Sequence, residues 1–173
     1  MSLKNFRDGR ICSLPNFRLQ KGVAAVEMGL MTMFLVITAG IATEFGRAIF
    51  QYDTLSKSAR SAARYLATRA PSAIVAVQNQ YILETKNIAL CGVAASCSGQ
   101  PSVVPNLTAA HIQASTADTN AALNSISTGG FGTFDIVTVT ISPAGSSYRF
   151  TTFMPVILSF NFGPISVTMP RAS

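Results

Sequence analysis

One acidic side chain, Glu27, lies inside a long apolar segment of the sequence. The run from Val23 to Thr43, VAAVEMGLMTMFLVITAGIAT, carries no other charge. An ionised side chain in lipid costs on the order of 2 to 3 kcal/mol or more at full depth, so an acid in such a segment is expected to have a partner or a function. The alternative is that Glu27, which lies close to the boundary of the segment, reaches the aqueous interface with its carboxylate.

Basic residues are concentrated ahead of this segment. Of the 13 Lys and Arg residues, five precede Gly22, and the rest of the chain carries eight basic and six acidic side chains. Cytoplasmic flanks of a membrane span carry excess Lys and Arg, so we expect the N-terminus inside and the C-terminal part outside the inner membrane. The net charge of +6 therefore indicates membrane topology, and no nucleic-acid partner is expected. The five residues are Lys4, Arg7, Arg10, Arg18 and Lys21.

Two cysteines, Cys91 and Cys97, have five residues between them in the sequence CGVAASC. The space outside the inner membrane is oxidising, which favours a disulfide between them. A structural metal site is the weaker alternative, because His111 is the only histidine and the third cysteine, Cys12, lies in the N-terminal basic part. We therefore predict a disulfide and no metal.

The sequence contains no recognisable catalytic set. It lacks a close Ser/His/Asp, Cys/His or paired-carboxylate grouping, and His111 lies in an Ala/Ser/Thr-rich stretch where a surface position is expected. The glycines of the segment 129–132 are not accompanied by the Lys and Ser/Thr of a phosphate loop and indicate a turn. We therefore predict that the protein is not an enzyme and has neither a cofactor nor a small-molecule substrate.

The apolar segment is long enough to cross a membrane as a helix. At about 1.5 Å per residue, Val23 to Thr43 extends about 30 Å, the thickness of the hydrocarbon core. Beyond Thr43 apolar residues recur every three or four positions, so we predict an amphipathic continuation to about Arg69, before Ala70-Pro71. The apolar stripe of this second half consists of Phe45, Ile49, Tyr52, Leu55, Ala59, Ala63 and Leu66.

The middle of the chain has weaker patterns. A second helix is expected from Ser72 to about Leu90, because apolar residues recur there unevenly. The stretch from Cys91 to Pro105 has loop-like composition. From Ala109 to Ile126 the abundance of Ala, Ser, Thr and Asn predicts a weak helix or a polar connection.

Strand patterns follow in the C-terminal part. Residues 134–142, FDIVTVTIS, alternate apolar and polar side chains, which predicts a half-buried strand. Residues 148–153 are expected to return as a second strand, and residues 165–169 to form a third. The apolar stretch 154–162 is expected to be a strand, a cap on the sheet, buried core or a membrane contact. Together the elements predict an α+β fold, in which the amphipathic half of a long N-terminal helix packs on a small antiparallel sheet.

The junction KGVAAVE resembles the processing site of type IV prepilins and pseudopilins, with Gly22 before a hydrophobic helix whose fifth residue is Glu27. Roughly the first 70 residues are similar to the N-terminal region of TadE-like minor pseudopilins of the tight adherence (Tad) pilus system. Further elements of this resemblance are Glu44-Phe45-Gly46-Arg47 and the Ala/Arg-rich segment 58–64. Met28 follows Glu27 where the related major pilins usually carry tyrosine, which favours a minor subunit.

The resemblance implies that an inner-membrane prepilin peptidase cuts between Gly22 and Val23, which makes Val23 the new N-terminus. Its amine then lies one turn from Glu27, and in the family this acid is thought to pair with the N-terminal amine of a neighbouring subunit. Other Tad pilins and pseudopilins and the inner-membrane assembly platform are further implied partners. The implied location is the bacterial inner membrane, with incorporation into an extracellular pilus as a further alternative.

The implied layout divides the chain into four parts. A prepilin-type leader comes first, and the transmembrane half of the long helix follows it. The amphipathic half then leads into an extracytoplasmic α+β domain. The expected ranges are 1–22 for the leader, 23–43 for the span, 44–70 for the amphipathic helix and 71–173 for the domain.

Two other interpretations stay open. One is a secreted protein that a signal peptidase cuts after Gly40-Ile41-Ala42, although the apolar run is long for a signal and Glu27 is out of place in it. The other is an uncleaved single-pass membrane protein that acts as a receptor or binding module. The three interpretations predict different mature N-termini, namely Val23, Thr43 and Met1.

Overall fold

The computed structural model of the chain describes residues 20–72, 74–123, 126–127, 133–153 and 159–171. Backbone contacts divide the chain into two compact units, Met1–Ile41 and Ala42–Ser173. Helix α1, Gln20–Ala67, contributes residues to both units. Most of the predicted leader lies outside the described residues.

The described part of the first unit is the N-terminal part of α1. Its Ala, Leu and Met residues favour a helix, and the Thr32 hydroxyl donates to the Met28 carbonyl oxygen at 2.8 Å, which satisfies this polar group within the helix. The segment Gly22–Ala67 of α1 contains an 18-residue window with a mean hydropathy of 1.8, and it is the one helix in the described part of the chain that is long and apolar enough to cross a membrane. The predicted apolar N-terminal helix is therefore confirmed.

In the second unit α1 buries one face, and the position of that face corrects the predicted stripe. The C-terminal half of the stripe is confirmed, but the prediction is wrong for Phe45, Ile49 and Tyr52, which are exposed. At 3.6 residues per turn, positions 44, 48, 51 and 55 lie roughly one above another, whereas 45 and 49 lie about 100° away from that line. The buried face consists of Glu44, Ala48, Gln51, Leu55, Ser58, Ala59, Ala62, Ala63 and Leu66.

Helix α1 ends at Ala67, close to the predicted end near Arg69. The Thr68 hydroxyl donates to the Tyr65 carbonyl oxygen at 2.8 Å and satisfies one of the last carbonyl groups of the helix. Pro71 follows shortly after, as is common beyond a helix terminus.

The second helix, α2, runs from Val75 to Cys91 and lies within one to three residues of the predicted bounds. It buries Thr85 and Ala89. Gly92 follows with φ of +80°, and its N–H donates to the Ile88 carbonyl oxygen at 3.0 Å. A glycine favours this left-handed conformation because it has no side chain to clash with the backbone, and it ends the helix here.

A three-stranded antiparallel sheet has β4, Ile136–Ile141, at its centre. One neighbour is β7, Ile165–Pro170, with Val139 opposite Val167. Val137, Val139 and Ile141 are fully buried, as the alternating pattern predicts. On the other face the hydroxyls of Thr140 and Ser166 lie 2.9 Å apart across the strand pair. The strand expected at 165–169 is confirmed.

The other neighbour of β4 is β1, Ile112–Ser115, and its presence corrects a prediction. This stretch was expected to be a weak helix or a polar connection. Within β1 the residues Ile-Gln-Ala-Ser alternate apolar and polar types, and Ile112 is buried while Gln113 is exposed. Four residues in a stretch rich in Ala, Ser and Thr are too short a pattern to predict a strand, so the pairing with β4 defines it.

The strand expected at 148–153 does not pair with β4, because β7 and β1 occupy both edges of that strand. Instead β5, Arg149–Phe150, pairs with β6, Phe160–Asn161, in a separate sheet. The chain turns away at Ser142, which has φ of +62°. Its hydroxyl accepts the Tyr148 N–H at 3.0 Å and donates to the Phe162 carbonyl oxygen at 2.7 Å, which holds this conformation.

A last pair of short strands joins β2, Ile126–Ser127, to β3, Thr133–Phe134. The predicted glycine turn at 129–132 and the first part of the apolar stretch 154–162 lie outside the described residues. Residues of α1, α2 and the central sheet share one core in the second unit, so the predicted packing of the amphipathic half of α1 on an antiparallel sheet is confirmed. The fully buried members of this core include Leu55, Leu66, Ala89, Val137, Val139 and Ile141.

Candidate functional site

The predicted processing and assembly residues lie on one face of the N-terminal part of α1. Gly22, Val23, Val26, Glu27 and Leu30 together line a shallow, open and mostly apolar depression. Apart from the adjoining residues and the nearby backbone of α1 itself, no atom of the described residues lies within 4 Å of the position that a Cβ atom would take at Gly22. Val23 and Glu27 are four residues apart, which places them one above the other along the helix.

The bond between Gly22 and Val23 lies close to Gln20, the first residue of α1 that the structure describes. Glycine in a helix is less favourable than alanine by about 1 kcal/mol, so Gly22 lowers the free-energy cost of opening the helix locally at this bond.

The Glu27 side chain is exposed on this face. Between residues whose side chains the structure describes, no ion pair involves Glu27. The residues around it on the helix surface are apolar, with Val26 and Leu30 exposed to 66% each. A carboxylate in such surroundings gains most from a cation supplied by another chain, because a charge away from water needs a partner.

A second acid, Glu44, lies at the start of the second unit and is 5% exposed. One carboxylate oxygen accepts from Arg47 at 2.8 Å, and the other accepts the backbone N–H of Phe153 at 2.8 Å. The Arg47 guanidinium also lies 5.7 Å from the centre of the Phe150 ring. Glu44 therefore joins α1 to the loop that follows β5, and both of its oxygens are satisfied.

Gln51 takes the next polar position on the buried face of α1. The Tyr148 hydroxyl lies 2.7 Å from the Pro105 carbonyl oxygen and 3.1 Å from the side-chain amide of Gln51. Both neighbouring atoms, the Pro105 carbonyl oxygen and Gln51 Oε1, are acceptors, so the one hydroxyl proton is shared between them. Burial raises the pKa of Tyr148 above its ordinary value. These contacts tie three separate parts of the second unit to one tyrosine.

Cys91 and Cys97 form a disulfide at the C-terminal end of α2, with their Cα atoms 5.9 Å apart. The bridge closes a short loop around the helix terminus at Gly92. By the loop-entropy relation a ring of this size stabilises the folded state by about 2 kcal/mol. The pair lies in the second unit, away in sequence from the residues of the processing face.

An ionic cluster joins α1 to α2 outside the predicted site. The Tyr65 hydroxyl donates to Glu84, and Arg69 donates to the Tyr65 oxygen and lies 4.4 Å from the centre of the Tyr65 ring. Burial and the hydrogen bond to Glu84 raise the pKa of Tyr65, whereas the hydrogen bonds from Tyr65 and Gln80 lower the pKa of Glu84. The hydrogen bond between them accounts for both pKa shifts in part, because it stabilises the protonated Tyr65 hydroxyl and the ionised Glu84 carboxylate.

His111, expected at the surface, is half-buried and ends a short helical turn, Ala109–His111. Its Nδ1 accepts the backbone N–H of Thr108 at 3.1 Å, and its ring packs edge-on against Tyr148. No three His, Cys, Asp or Glu residues of the described chain are grouped so that they could hold a metal ion.

The sequence pattern alone does not indicate the contacts of three residues: Glu44, Gln51 and Arg171. Glu44 belongs to the family resemblance, and Gln51 is not part of the apolar periodicity of the helix. A signal was present, since Glu44, Ala48, Gln51 and Leu55 keep the four-three-four spacing of a buried helix face. For Arg171 near the C-terminus the sequence offers no comparable pattern.

Comparison with known proteins bears on the N-terminal segment. The family described as TadE-like protein matches residues 22–64. No curated protein and no solved structure matches the chain. The matched segment includes Gly22, Val23 and Glu27 and covers most of the residues that carry the predicted resemblance, which is confirmed.

Proposed function

Because residues 22–64 carry the TadE-like family sequence, we propose that this chain is a pilin-like subunit, a pseudopilin, for the biogenesis of a Tad-type adhesion pilus. The match connects the chain to the Tad pilus system. One observation carries the proposal: the matched segment lies within α1, the helix that is apolar enough to span a membrane. The role is structural and not enzymatic.

In this proposal a prepilin peptidase removes the leader after Gly22, and Val23 becomes the mature N-terminus. Support comes from the exposed position of Gly22 and from the open space around it. The glycine at position 22 also favours access, because it lowers the cost of opening the helix at this bond. The basic residues before Gly22 keep the leader in the cytoplasm, and the second unit lies on the opposite side of the membrane.

Assembly then depends on Glu27. The new amine at Val23 lies one turn away on the same face, but within one subunit both groups lie at a helix surface surrounded by apolar side chains. Pairing of Glu27 with the amine of a neighbouring subunit neutralises both charges and sets the axial position of the neighbour. The other partners in this scheme are pilins and pseudopilins and the inner-membrane assembly platform.

The mature N-terminus tests the proposal directly. We expect mass spectrometry of the protein from pilus-forming cells to find Val23 as the first residue. A protein that begins at Thr43 would instead be a signal-peptidase product, and one that begins at Met1 an unprocessed membrane protein. Either result contradicts the proposed processing.

Substitution of a glycine provides a matched pair of variants. Gly22→Leu places a bulky side chain at the bond to be cut, so the leader should be retained. Gly29→Leu adds the same side chain seven residues later, where a Cβ atom also meets nothing within 4 Å, and its processing should be unaffected. Normal processing of Gly22→Leu, or equal loss in both variants, counts against recognition at Gly22.

A further inference from the structure

The Phe153 side chain is 89% exposed, the highest value among the large apolar side chains of the described residues. Its backbone, in contrast, is fixed, because the Phe153 N–H donates to the buried carboxylate of Glu44 at 2.8 Å. A phenyl ring presented to the outside from an anchored backbone is unfavourable in water. Among the described residues, therefore, none covers the ring, and apolar surroundings would stabilise it.

The anchor point identifies that partner. Glu44 directly follows Thr43, the last residue of the predicted membrane span, and one residue of helix advances about 1.5 Å. Phe153 is therefore held at the level where the span leaves the hydrocarbon. At that level the surroundings of a membrane-anchored protein are lipid headgroups and the ends of the acyl chains.

Two neighbouring side chains fit the same surroundings. Phe45 follows Glu44 in the helix and is 68% exposed, so a second phenyl ring is exposed at this level. The Arg47 side chain is 45% exposed next to its ion pair with Glu44, and it places a cation one turn further along α1. Helices at a membrane interface present apolar side chains to the acyl chains and basic groups to the anionic headgroups. The two phenyl rings and Arg47 provide both kinds of side chain close to the end of the span.

We propose that Phe153, together with Phe45, inserts into the lipid bilayer at the end of the span and gives the second unit its own contact with the membrane. This inference rests on the membrane anchoring in the proposed function. The occupant is lipid and not a second copy of the chain, because the level of the ring is fixed by the span and does not depend on a neighbour.

Tryptophan fluorescence tests the insertion, since the chain contains no tryptophan. The full chain with Phe153→Trp is reconstituted in vesicles with and without lipids brominated near the headgroup. We expect the brominated lipids to reduce its emission at least about twofold, because interfacial side chains lie within 5 to 10 Å of the headgroup boundary.

Phe134→Trp is the matched control. Phe134 is 41% exposed, and it precedes Asp135, whose carbonyl oxygen accepts the Arg171 N–H at 2.7 Å. The Arg171 side chain donates to the Arg69 carbonyl oxygen at 2.9 Å, which places Phe134 near the far end of α1. This is about 35 Å along the helix from Glu44, so brominated lipid should leave the emission of Phe134→Trp nearly unchanged.

Each other outcome overturns the inference. If aqueous iodide quenches Phe153→Trp as strongly as Phe134→Trp while brominated lipid does not, the ring lies in water. If neither agent quenches it, another protein surface, such as a second copy, covers the ring. Flotation of the vesicles separates the insertion of Phe153 from the membrane anchoring of the proposed function. If the protein floats with the vesicles but brominated lipid does not quench Phe153→Trp, only the insertion is disproved. If the protein does not float with the vesicles, the anchoring is disproved as well.

Discussion

Arg171 and Asp118 form an ion pair within the second unit, in which the Arg171 side chain is 1% exposed and the Asp118 side chain 18%. The same guanidinium donates to the carbonyl oxygens of Arg69 and Ala70, at 2.9 and 3.0 Å, just beyond the end of α1. The end of the last strand is thus fastened to the end of the long helix. A buried cation with three acceptors is satisfied, but the loss of either charge leaves the other without its partner.

We expect Arg171→Met to lower the free energy of unfolding by about 3 kcal/mol, because it leaves Asp118 unpaired and two carbonyl oxygens without a donor. Denaturant unfolding in detergent, followed by circular dichroism, measures the change. Arg149→Met is the control, since the Arg149 side chain is exposed and donates to the hydroxyl of Ser159. Equal stability of the two variants would contradict the assignment, and Asp118→Leu added to Arg171→Met should recover part of the loss.

Glu27 supplies a prediction about assembly. Glu27→Gln keeps the shape of the side chain but removes its charge, so cleavage after Gly22 should continue while the number of pili falls sharply. Pili counted by electron microscopy and the mass of the mature protein report the two steps separately. Asp53→Asn, which removes an exposed charge elsewhere on α1, should leave both unchanged. Normal piliation with Glu27→Gln would reject the assembly role.

Glu84 makes the stability of the second unit depend on pH. The hydrogen bond from Tyr65, with a further one from Gln80, lowers the pKa of Glu84 in the folded state below the ordinary 4.5. The unfolded chain therefore binds more protons near that pH, so this stabilisation is complete above 4.5 and is lost as the pH falls through 4.5 and then through the folded pKa.

Glu84→Gln should accordingly destabilise the protein at pH 7 and lose this deficit in acid. Melting temperatures measured between pH 7 and about pH 3 test the expected convergence of the two curves. Asp53→Asn, which removes the carboxylate of the exposed Asp53–Lys57 pair, serves as the control. Its melting temperature should follow pH in nearly the same way as that of the unaltered protein. A constant difference between Glu84→Gln and the unaltered protein over the whole range would contradict the assignment.

The Cys91–Cys97 bridge gives a fourth prediction. The mass of a non-reduced peptide that contains both cysteines should be 2 Da below that of the reduced peptide, since a disulfide forms with the loss of two hydrogen atoms. Cys91→Ser and Cys97→Ser should each lower the free energy of unfolding by about 2 kcal/mol, and the double variant should lose no more than either one. Free thiols in protein isolated without reductant, or additive losses, would contradict the bridge.

The sequence predicts best those elements in which the local pattern and the final surroundings agree. Val137, Val139 and Ile141 alternate with threonines and are buried in the strand that the alternation predicts. The apolar N-terminal helix is equally clear, because its length and composition need no contribution from distant residues.

The prediction fails where distant residues decide the structure. The stretch Ile112–Ser115 is a strand because β4 offers a free edge, and nothing in its own residues requires this. Phe45 and Ile49 look like the start of the core stripe, but the polar residues Glu44 and Gln51 are the buried ones. They tolerate burial because Phe153 and Tyr148, about 100 residues further along the chain, supply their hydrogen bonds.

The order of the strands also determines when this unit can be completed during synthesis. Helix α1 leaves the ribosome before β7, which pairs with the central strand, and before Arg171, which fastens the end of α1. The apolar face around Leu55 and Leu66 must therefore wait, partly uncovered, until β7 has been translated. A product that stops before β7 lacks the closing strand and is open to chaperones and proteases.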